Sequence, residues 1–378
     1  MSKLDQIFRR LNEQNVKLLE IQGVSLSARD TVELIQKSIS EEKWQDIEEI
    51  QMIDTDLSEV PEFVMKPNHL RYLMLAENLF KSITLSSKLG NDLVDLSLDN
   101  NPISKLEFDG ASFKKLRYFF SSNHHFNQIP KALFELQEIC EIDLSKGKID
   151  SVDIPQASWK RLQKLDLRDN RIGRLTGDLE NMVSLKVLDL GSNRLSELPE
   201  SIGQLKSLVN FNLSGNRLTS LPESISQLQW MTALNICDNQ IRHLPEHFGM
   251  LSSLTILHAK NNLLDSLPLS IGKMTWLDGV ILSKNNFRSI PDVLSKIKGL
   301  RDISLDFNPV KSLSSWIYKR ENLWLQLQNT EITVDAIKNS LVGVKKVENV
   351  TLFLKGTAAA QSSENLPKIA GLHYDFAK

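Results

Sequence analysis

Residues 185–230, LKVLDLGSNRLSELPESIGQLKSLVNFNLSGNRLTSLPESISQLQW, contain one pattern twice, and the second copy begins at Leu208, 23 residues after Leu185 (208 − 185 = 23). The first copy reads LxxLxLxxNxL, the second has Phe211 in place of the second leucine, and each is followed by LPESI. The same spacing recurs from about residue 47 to 332, with asparagine or a substitute at the ninth position: Thr55, Asn78, Asn101, His124, Gly147, Asn170, Asn193, Asn216, Asn239, Asn262, Asn285 and Asn308. A unit this short cannot bury its apolar face alone, so the sequence predicts a solenoid whose repeats complete one another's cores.

Each position of the repeat has a predicted role. The leucines and their aliphatic substitutes point into the solenoid, where a fully buried side chain contributes roughly 1.5 to 3 kcal/mol. The asparagine carries donors and an acceptor on a short side chain, so it can satisfy backbone groups where the chain turns away from the strand. Side chains at positions 3, 5 and 7 alternate with the buried leucines, so they are predicted to face outward on a parallel sheet.

The second half of the repeat carries a resemblance to a known class. In LPESIGQL (198–205) and LPESISQL (221–228) the chain resembles the LPxxIxxL class of leucine-rich repeats, found in cytosolic Ras-suppressor-like proteins, plant intracellular Ras-group proteins and bacterial effectors. The resemblance covers about residues 47–332. It implies an α/β fold, a right-handed horseshoe with a parallel sheet on its concave face. It implies little about function, because the matching residues are the scaffold.

The ends of the chain depart from the repeat, as solenoid caps usually do. Residues 1–46 are predicted to form an N-terminal cap helix and a first helix-bearing repeat, ahead of the 23-residue repeats of residues 47–332. Residues 333–355 are predicted to form a C-terminal helix and the last strand. Residues 356–378 begin with small residues and are expected to be a loosely held tail. The cap helix, in which Leu4, Ile7, Phe8 and Leu11 follow helical spacing, either covers the end of the core or binds a partner or a membrane surface.

Composition argues against several classes of protein. Lys and Arg number 45 and Asp and Glu 47, giving a formal charge of −2, so nothing favours nucleic acid or an anionic membrane surface as a partner. The sequence contains no run of about 18 apolar residues, so no membrane span is predicted. Cys140 and Cys237 fall in separate repeats too distant for a disulfide, which favours a reducing compartment. The protein is therefore expected in the cytoplasm, or in the host-cell cytosol if it is a bacterial effector. An extracellular receptor is not expected. The chain is expected to be a monomer.

Outward-facing aromatic and apolar residues predict a protein-binding site early in the repeats. Tyr72 and Met74 fall on one strand, and Tyr118 and Phe120 fall two strands later. Exposed side chains of this kind often supply most of the energy of an interface. The asparagine pattern is interrupted in the same region, by one histidine and one glycine. Either the N-terminal segment folds over these side chains, or a folded protein partner docks against them on the concave face.

The candidate partner-binding residues extend from this site along the sheet. They are Tyr72, Met74, Asp95, Tyr118, Phe120, Glu141, Asp143, Asp166, Asp189, Ile256, His258, Ile281 and Trp324. Asp143, Asp166 and Asp189 share position 5 of adjacent repeats, so their charges would repel unless basic side chains such as Lys164 and Arg168 lie close. This acidic row is either a habit of the repeat class or the contact for a basic partner. The last four residues, with Lys260 and Phe307, form a second patch, which is either ordinary surface scatter or a further contact.

Catalysis is not expected. The sequence has no glycine-rich phosphate loop, HExxH motif or paired-cysteine metal spacing, so no metal or cofactor is predicted. One alternative is a cysteine-dependent enzyme, in which Cys237 would be the nucleophile, His258 its base, and Asn235 and Lys260 supporting groups. An open sheet supplies neither an oxyanion hole nor exclusion of water. The leading hypothesis is a non-enzymatic protein-binding module, as a bacterial effector acting on a host protein or as a eukaryotic Ras-pathway scaffold.

Overall fold

The structure is a computed structural model that describes Ile7 and residues 17–156, 158–177 and 179–377. The chain divides into two compact units, Met1–Asp189 and Leu190–Lys378. Each unit is built around its own run of parallel strands. The predicted cap-helix positions Leu4, Phe8 and Leu11 lie outside the described residues.

The first unit contains a parallel sheet and two short strand pairs. Its strands are β1 (Leu18–Gln22), β2 (Glu49–Ile53), β3 (Tyr72–Met74), β4 (Ser82–Thr84), β5 (Asp95–Ser97), β6 (Lys105–Glu107), β7 (Tyr118–Phe120), β8 (Glu141–Asp143), β9 (Ser151–Ile154), β10 (Lys164–Asp166), β11 (Arg174–Gly177) and β12 (Val187–Asp189). The sheet has the order β1, β2, β3, β5, β7, β8, β10, β12, while β4 pairs with β6 and β9 with β11. From β2 onward its register advances by one repeat per strand, so that Leu73 pairs with Leu96 and Leu96 with Phe119.

The second unit contains parallel strands that pair in chain order. They are β13 (Asn210–Asn212), β14 (Ala233–Asn235), β15 (Ile256–His258), β16 (Gly279–Ile281), β17 (Asp302–Ser304), β18 (Glu321–Gln326), β19 (Glu348–Phe353) and β20 (Leu372–Asp375). The central residue of each three-residue strand is buried, as the alternation of the repeat predicts. The predicted leucine-rich repeat solenoid with a parallel sheet is therefore confirmed.

The second half of most repeats is a short 3₁₀ turn rather than an α-helix. In the first unit these turns are Glu62–Met65, Ser87–Asn91 and Gly110–Ser112; in the second they are Glu200–Gln204, Glu223–Gln227, Phe248–Met250, Leu269–Lys273, Asp292–Lys296, Ser315–Lys319 and Ser363–Asn365. Pro199 and Pro222 precede two of them in an extended conformation, and the fixed φ of proline favours this entry into the turn. Ile202 and Ile225 are fully buried and complete the core behind the sheet.

The helices occur mainly toward the ends of the chain. They are α1 (Arg29–Ser38), α2 (Glu41–Asp46), α3 (Lys131–Phe134), α4 (Val334–Ser340) and α5 (Ala358–Gln361). Ile35 of α1 and Ile337 of α4 are fully buried against the core, as predicted for helix-bearing end repeats. Ser27 Oγ pairs with Ser25 Oγ at 2.9 Å, and α1 begins after Ala28 without a side-chain cap. No helix among the described residues is long and apolar enough to cross a membrane.

The expectation of a loosely held tail at residues 356–378 is wrong. Thr357 caps α5 by accepting a hydrogen bond from the Ala360 amide at 3.0 Å, and its own hydroxyl donates to the Leu354 carbonyl at 2.7 Å. The strand β20 then pairs with β19, and Leu366 and Leu372 are buried. The last strand of the sheet is therefore β20 and not β19, because one further repeat follows residue 355.

The asparagines join neighbouring repeats, as predicted. Asn170 Oδ1 accepts from the Ile149 amide at 3.0 Å, and its Nδ2 donates to the carbonyls of Leu144 at 2.7 Å and Leu167 at 3.0 Å. The residue before each ninth position has a left-handed backbone: Asp54, Glu77, Asn100, Asn123, Lys146, Asp169, Ser192, Gly215, Asp238, Asn261, Lys284, Phe307 and Asn329. Glycine, asparagine and aspartate adopt this conformation most readily. Each repeat therefore leaves its strand through the same turn.

Candidate protein-binding surface

The predicted anchors lie side by side on the outward face of the first unit's sheet. Tyr72 on β3, Asp95 on β5 and Tyr118 on β7 form one row. The next row along the same strands is Met74, Ser97 and Phe120, and all six side chains are partly exposed. These six residues are called the aromatic patch below. The alternation of the repeat produces this arrangement, because the residues between them, such as Leu73 and Phe119, are fully buried.

Both tyrosines of the aromatic patch contact an arginine from the preceding position. The guanidinium carbon of Arg71 lies 5.5 Å from the centre of the Tyr72 ring, and that of Arg117 lies 5.8 Å from the Tyr118 ring. Both distances are within the range of about 6 Å over which a cation is attracted to an aromatic face. The two arginines are exposed, so these contacts hold the rings without covering the patch.

Asp95 is the unusual member of the patch. Its Oδ1 atom is buried and has no hydrogen-bond partner in the part of the chain that the structure describes. Burial, together with the like charges of Asp99, Glu141 and Glu49, raises the pKa of the Asp95 carboxyl to about 6. A partly buried carboxylate without a donor costs free energy, which a partner with a donor group would recover.

The acidic residues that follow on the sheet already have partners. Lys164 Nζ lies 2.7 Å from Glu141 Oε1, and the Asp166 carboxylate accepts from the Arg168 amide at 3.1 Å, with Arg168 Nε at 3.4 Å. Asp143 Oδ1 accepts from the Ser145 amide at 2.8 Å. Burial raises the pKa of Asp166 to about 6 despite these contacts, and the neighbouring Asp143 and Asp189 add to the rise. Lys164 and Arg168 thus lie close to the acidic row, as the sequence required.

The second predicted patch, in the second unit, is not continuous. Ile256 is 38% exposed and Trp324 is 55% exposed, but Gly279 and Asp302 separate them along the row. His258 and Ile281 are neighbours on β15 and β16 and are only partly exposed. Asp302 accepts a hydrogen bond from Gln326 Nε2 at 3.2 Å. Along the outward rows, Trp324 therefore lies apart from Ile256, His258 and Ile281, while Phe307, at the turn after β17, is 54% exposed.

Two exposed tryptophans are absent from the candidate residues predicted by sequence. Trp230 and Trp276 are each 71% exposed and come directly before the first leucine-type position of their repeats. They occupy equivalent positions two repeats apart (276 − 230 = 46), with Ser253 at the same position between them. Other repeats have small or charged residues at this position, such as Lys115 and Ser207. This contrast in residue type is the sequence signal by which the two tryptophans could have been identified.

The candidate catalytic group at Cys237 lacks the required geometry. No hydrogen bond links Cys237 Sγ with the His258 imidazole among the described residues, and Asn235 Oδ1 accepts from the Cys237 amide at 3.1 Å. Burial raises the pKa of the Cys237 thiol and lowers the pKa of His258, so both changes oppose a thiolate and imidazolium pair. No group of three or more potential metal-binding side chains occurs within the described ranges.

Comparisons with known proteins agree with the repeat structure. A family model described as a leucine-rich repeat region matches residues 210–373, and a second, described as a leucine rich repeat, matches residues 160–218. No curated protein matches the chain.

Among solved structures, a leucine-rich repeat protein of Leptospira interrogans has a TM-score of 0.69 at 23% identity, over 93% of this chain and 98% of that chain. An internalin of Listeria monocytogenes has a TM-score of 0.61 at 17% identity, over 93% and 95% of the two chains. The glycosylated Toll–Spatzle complex of Drosophila has a TM-score of 0.67 at 20% identity, over 91% of this chain and 51% of that chain. These structures share the fold of this chain, and the two family models show leucine-rich repeats over residues 160–373.

Proposed function

We propose that this chain is a non-enzymatic binding module that holds one protein partner on the outward face of the first unit's sheet, the face expected to be concave. The observation that carries this proposal is the aromatic patch. Tyr72, Met74, Tyr118 and Phe120 are partly exposed around Asp95, which has an unpartnered carboxylate oxygen. Aromatic anchors are typical of interface centres, because a partner removes them from water.

Relatives in fold support a partner that is a protein. The Toll structure is a complex with Spatzle, and the ectodomain of the Arabidopsis receptor kinase GASSHO1 is in complex with Casparian strip integrity factor 2. Similarity of fold alone does not carry a ligand from one protein to another. It does support the use of a repeat surface, rather than an enclosed pocket, for binding.

The acidic row beside the aromatic patch has a separate role in the proposal. Asp143, Asp166 and Asp189 place carboxylates on three successive strands of the sheet, and Glu141 adds a fourth beside Asp143 on β8. Charges at the rim of an interface mainly set the association rate and the orientation of the partner. The patch is therefore proposed to supply affinity, and the acidic row to favour a partner with a basic surface.

A site-specific cross-linker tests the site while the partner is still unidentified. A photoreactive residue at Ser97, in the middle of the aromatic patch, should capture a protein that the same residue at the exposed Lys105 of β6 does not capture. Affinity for the identified partner should then fall by at least about tenfold in Tyr118→Ala combined with Phe120→Ala. Trp230→Ala, in the second unit, is the control and should leave the affinity unchanged. Unchanged affinity in the double variant would remove the patch from the binding site.

The LPxxIxxL resemblance supports two settings for this binding, both in a cytosol. One is that of a bacterial effector that acts on a host protein, and the other is that of a eukaryotic signalling scaffold of the Ras-suppressor kind. A translocation assay with the intact chain fused to a reporter separates them. Entry of the reporter into host cells from a bacterial source supports the effector setting, and retention in the bacterium contradicts it.

A further inference from the structure

The row formed by Tyr72, Asp95 and Tyr118 places one carboxylate between two aromatic rings. Neighbouring strands of a sheet are about 4.8 Å apart, so the two tyrosines begin roughly 10 Å apart with Asp95 midway. The register fixes this order, because Tyr72 pairs with Asp95 and Asp95 with Tyr118. A group that reaches Asp95 from solvent therefore passes between two rings.

The charges around Asp95 favour a cation in that position. No basic side chain forms an ion pair with Asp95 in the described part of the chain, and Asp99, Glu141 and Glu49 all act on it as like charges. Glu141 is paired with Lys164 at 2.7 Å, and Asp99 accepts from Ser97 Oγ at 3.2 Å. Asp95 is thus the member of this group whose buried oxygen has no donor.

The chain itself shows which cation these rings accommodate. Arg71 and Arg117 already place guanidinium groups 5.5 and 5.8 Å from the two tyrosine rings. A guanidinium is planar, weakly hydrated and carries five donors in a fixed fork. It can therefore stack on an aromatic ring and donate to a carboxylate at the same time. An ammonium group is a compact and strongly hydrated charge, and it loses more hydration in the same position.

We propose that the row of Tyr72, Asp95 and Tyr118 receives an arginine side chain of the protein partner. The guanidinium donates to Oδ2 of Asp95, because Oδ1 is enclosed by the protein, and the charge attraction acts on the carboxylate as a whole. It stacks against the ring of Tyr72 or Tyr118. This inference rests on the proposed function, since it names the partner group that the aromatic patch recognises. It adds a chemical requirement, because a partner without an arginine at this position would not fill the row.

A titration of the full chain with short peptides tests the inference independently of any partner. The probe is acetyl-Gly-Arg-Gly-amide, followed through backbone amide NMR signals at pH 7.5. The matched peptides carry citrulline, which has nearly the same shape but no charge, or lysine. The arginine peptide should shift signals of β3, β5 and β7 and bind roughly tenfold more tightly than the citrulline peptide, with lysine between them.

Two variants separate recognition from folding. Asp95→Asn should weaken arginine binding to the level of the citrulline peptide while signals outside β3, β5 and β7 stay in place. Asp302→Asn is the matched control, because Asp302 occupies the same repeat position on β17 of the second unit but accepts a hydrogen bond from Gln326. It should leave arginine binding unchanged.

The inference is overturned if the citrulline peptide binds as tightly as the arginine peptide, if Asp95→Asn binds arginine normally, or if no peptide shifts these strands. Its failure differs from failure of the proposed function. A partner captured at Ser97 whose binding depends on Tyr118 and Phe120, but which shows no preference for arginine, keeps the function and removes the inference. If arginine binds at the row but no partner is captured at Ser97, the site for arginine is supported and the proposed function is contradicted.

Discussion

The imidazole of His124 occupies the space that the missing side chain of Gly147 leaves open. A Cβ atom on Gly147 would lie 2.2 Å from His124 Cε1 and 2.3 Å from its Nε2. His124 is buried, its Nδ1 accepts from the Phe126 amide at 2.9 Å, and Nε2 faces the Leu144 carbonyl at 3.1 Å. Since Nδ1 accepts a hydrogen bond, the proton is assigned to Nε2, which donates to Leu144.

This pair replaces an asparagine. Asn170 accepts from the amide 21 residues earlier and donates to the carbonyl 3 residues earlier, at Ile149 and Leu167. For an asparagine at position 147 the corresponding groups would be Phe126 and Leu144 (147 − 21 = 126, 147 − 3 = 144), and these are the two groups that His124 binds. The interruption of the asparagine pattern is therefore compensated within the scaffold, and it does not indicate a partner site.

Substitution of both residues should be better tolerated than substitution of either. Gly147→Asn should destabilise the fold by about 2 kcal/mol or more, because its Cβ meets the His124 ring and the core must shift. His124→Asn should cost about 1 to 3 kcal/mol, because the Phe126 amide loses its acceptor. The double variant removes the ring and restores the regular pattern, but its Cβ at position 147 still lies 2.7 Å from Asn170 Oδ1, so it should be more stable than either single variant without necessarily equalling the wild type. Denaturant unfolding of all four proteins measures the coupling, and additive losses would contradict the replacement.

His124 should make the wild type sensitive to mild acid. Burial lowers the pKa of His124 to about 4, below the unfolded value of 6.5. The folded chain then binds this proton less readily, so the stability contributed by the neutral ring is present above pH 6.5 and is lost as the pH falls through 4. The free energy of unfolding should drop by about 2 kcal/mol more between pH 7 and pH 5 in the wild type than in the double asparagine variant. Parallel pH profiles would show that folding does not lower the pKa of His124.

Asp95 should have the opposite pH dependence. Burial raises its pKa to about 6 from 3.8, so the folded chain binds this proton more readily. The corresponding stability is present below pH 3.8 and is lost as the pH rises through 6. Asp95→Asn cannot ionise, so relative to the wild type it should gain about 2 kcal/mol in unfolding free energy between pH 4 and pH 7. A difference that does not change with pH would mean that the carboxylate is well solvated.

The sequence predicted the regular repeats well, because strand register in a solenoid follows directly from repeat length. Leu73, Leu96 and Phe119 are 23 residues apart and pair as predicted. The positions of the outward rows follow from the same alternation. The final repeat was missed because residues 356–377 lack the LxxLxLxxN spacing. Its strand β20 is stabilised by pairing with β19 and by the burial of Leu372, which are contacts between distant parts of the sequence.

The details of the candidate site were harder to predict from residue types. The sequence places Asp95 on the outward face, but the absence of a partner for its Oδ1 depends on where Lys164 and Arg71 actually point. The compensation between His124 and Gly147 requires a side chain to reach across one full repeat. The repeat period identifies positions 124 and 147 as irregular. Only the three-dimensional arrangement shows that this irregularity is a packing feature and not a binding feature.

Cys237 should behave as a buried thiol rather than as a nucleophile. Burial raises the pKa of its thiol, so at neutral pH it carries less thiolate than a free cysteine does. With Cys140→Ser removing the other thiol, iodoacetamide at pH 7.5 should react more slowly with the folded chain than with the chain unfolded in denaturant. His258→Ala should not change the folded rate, because no hydrogen bond links the imidazole to Cys237 Sγ among the described residues. A folded rate above the unfolded one that falls in His258→Ala would instead support catalysis, because thiolate formation would then depend on that imidazole.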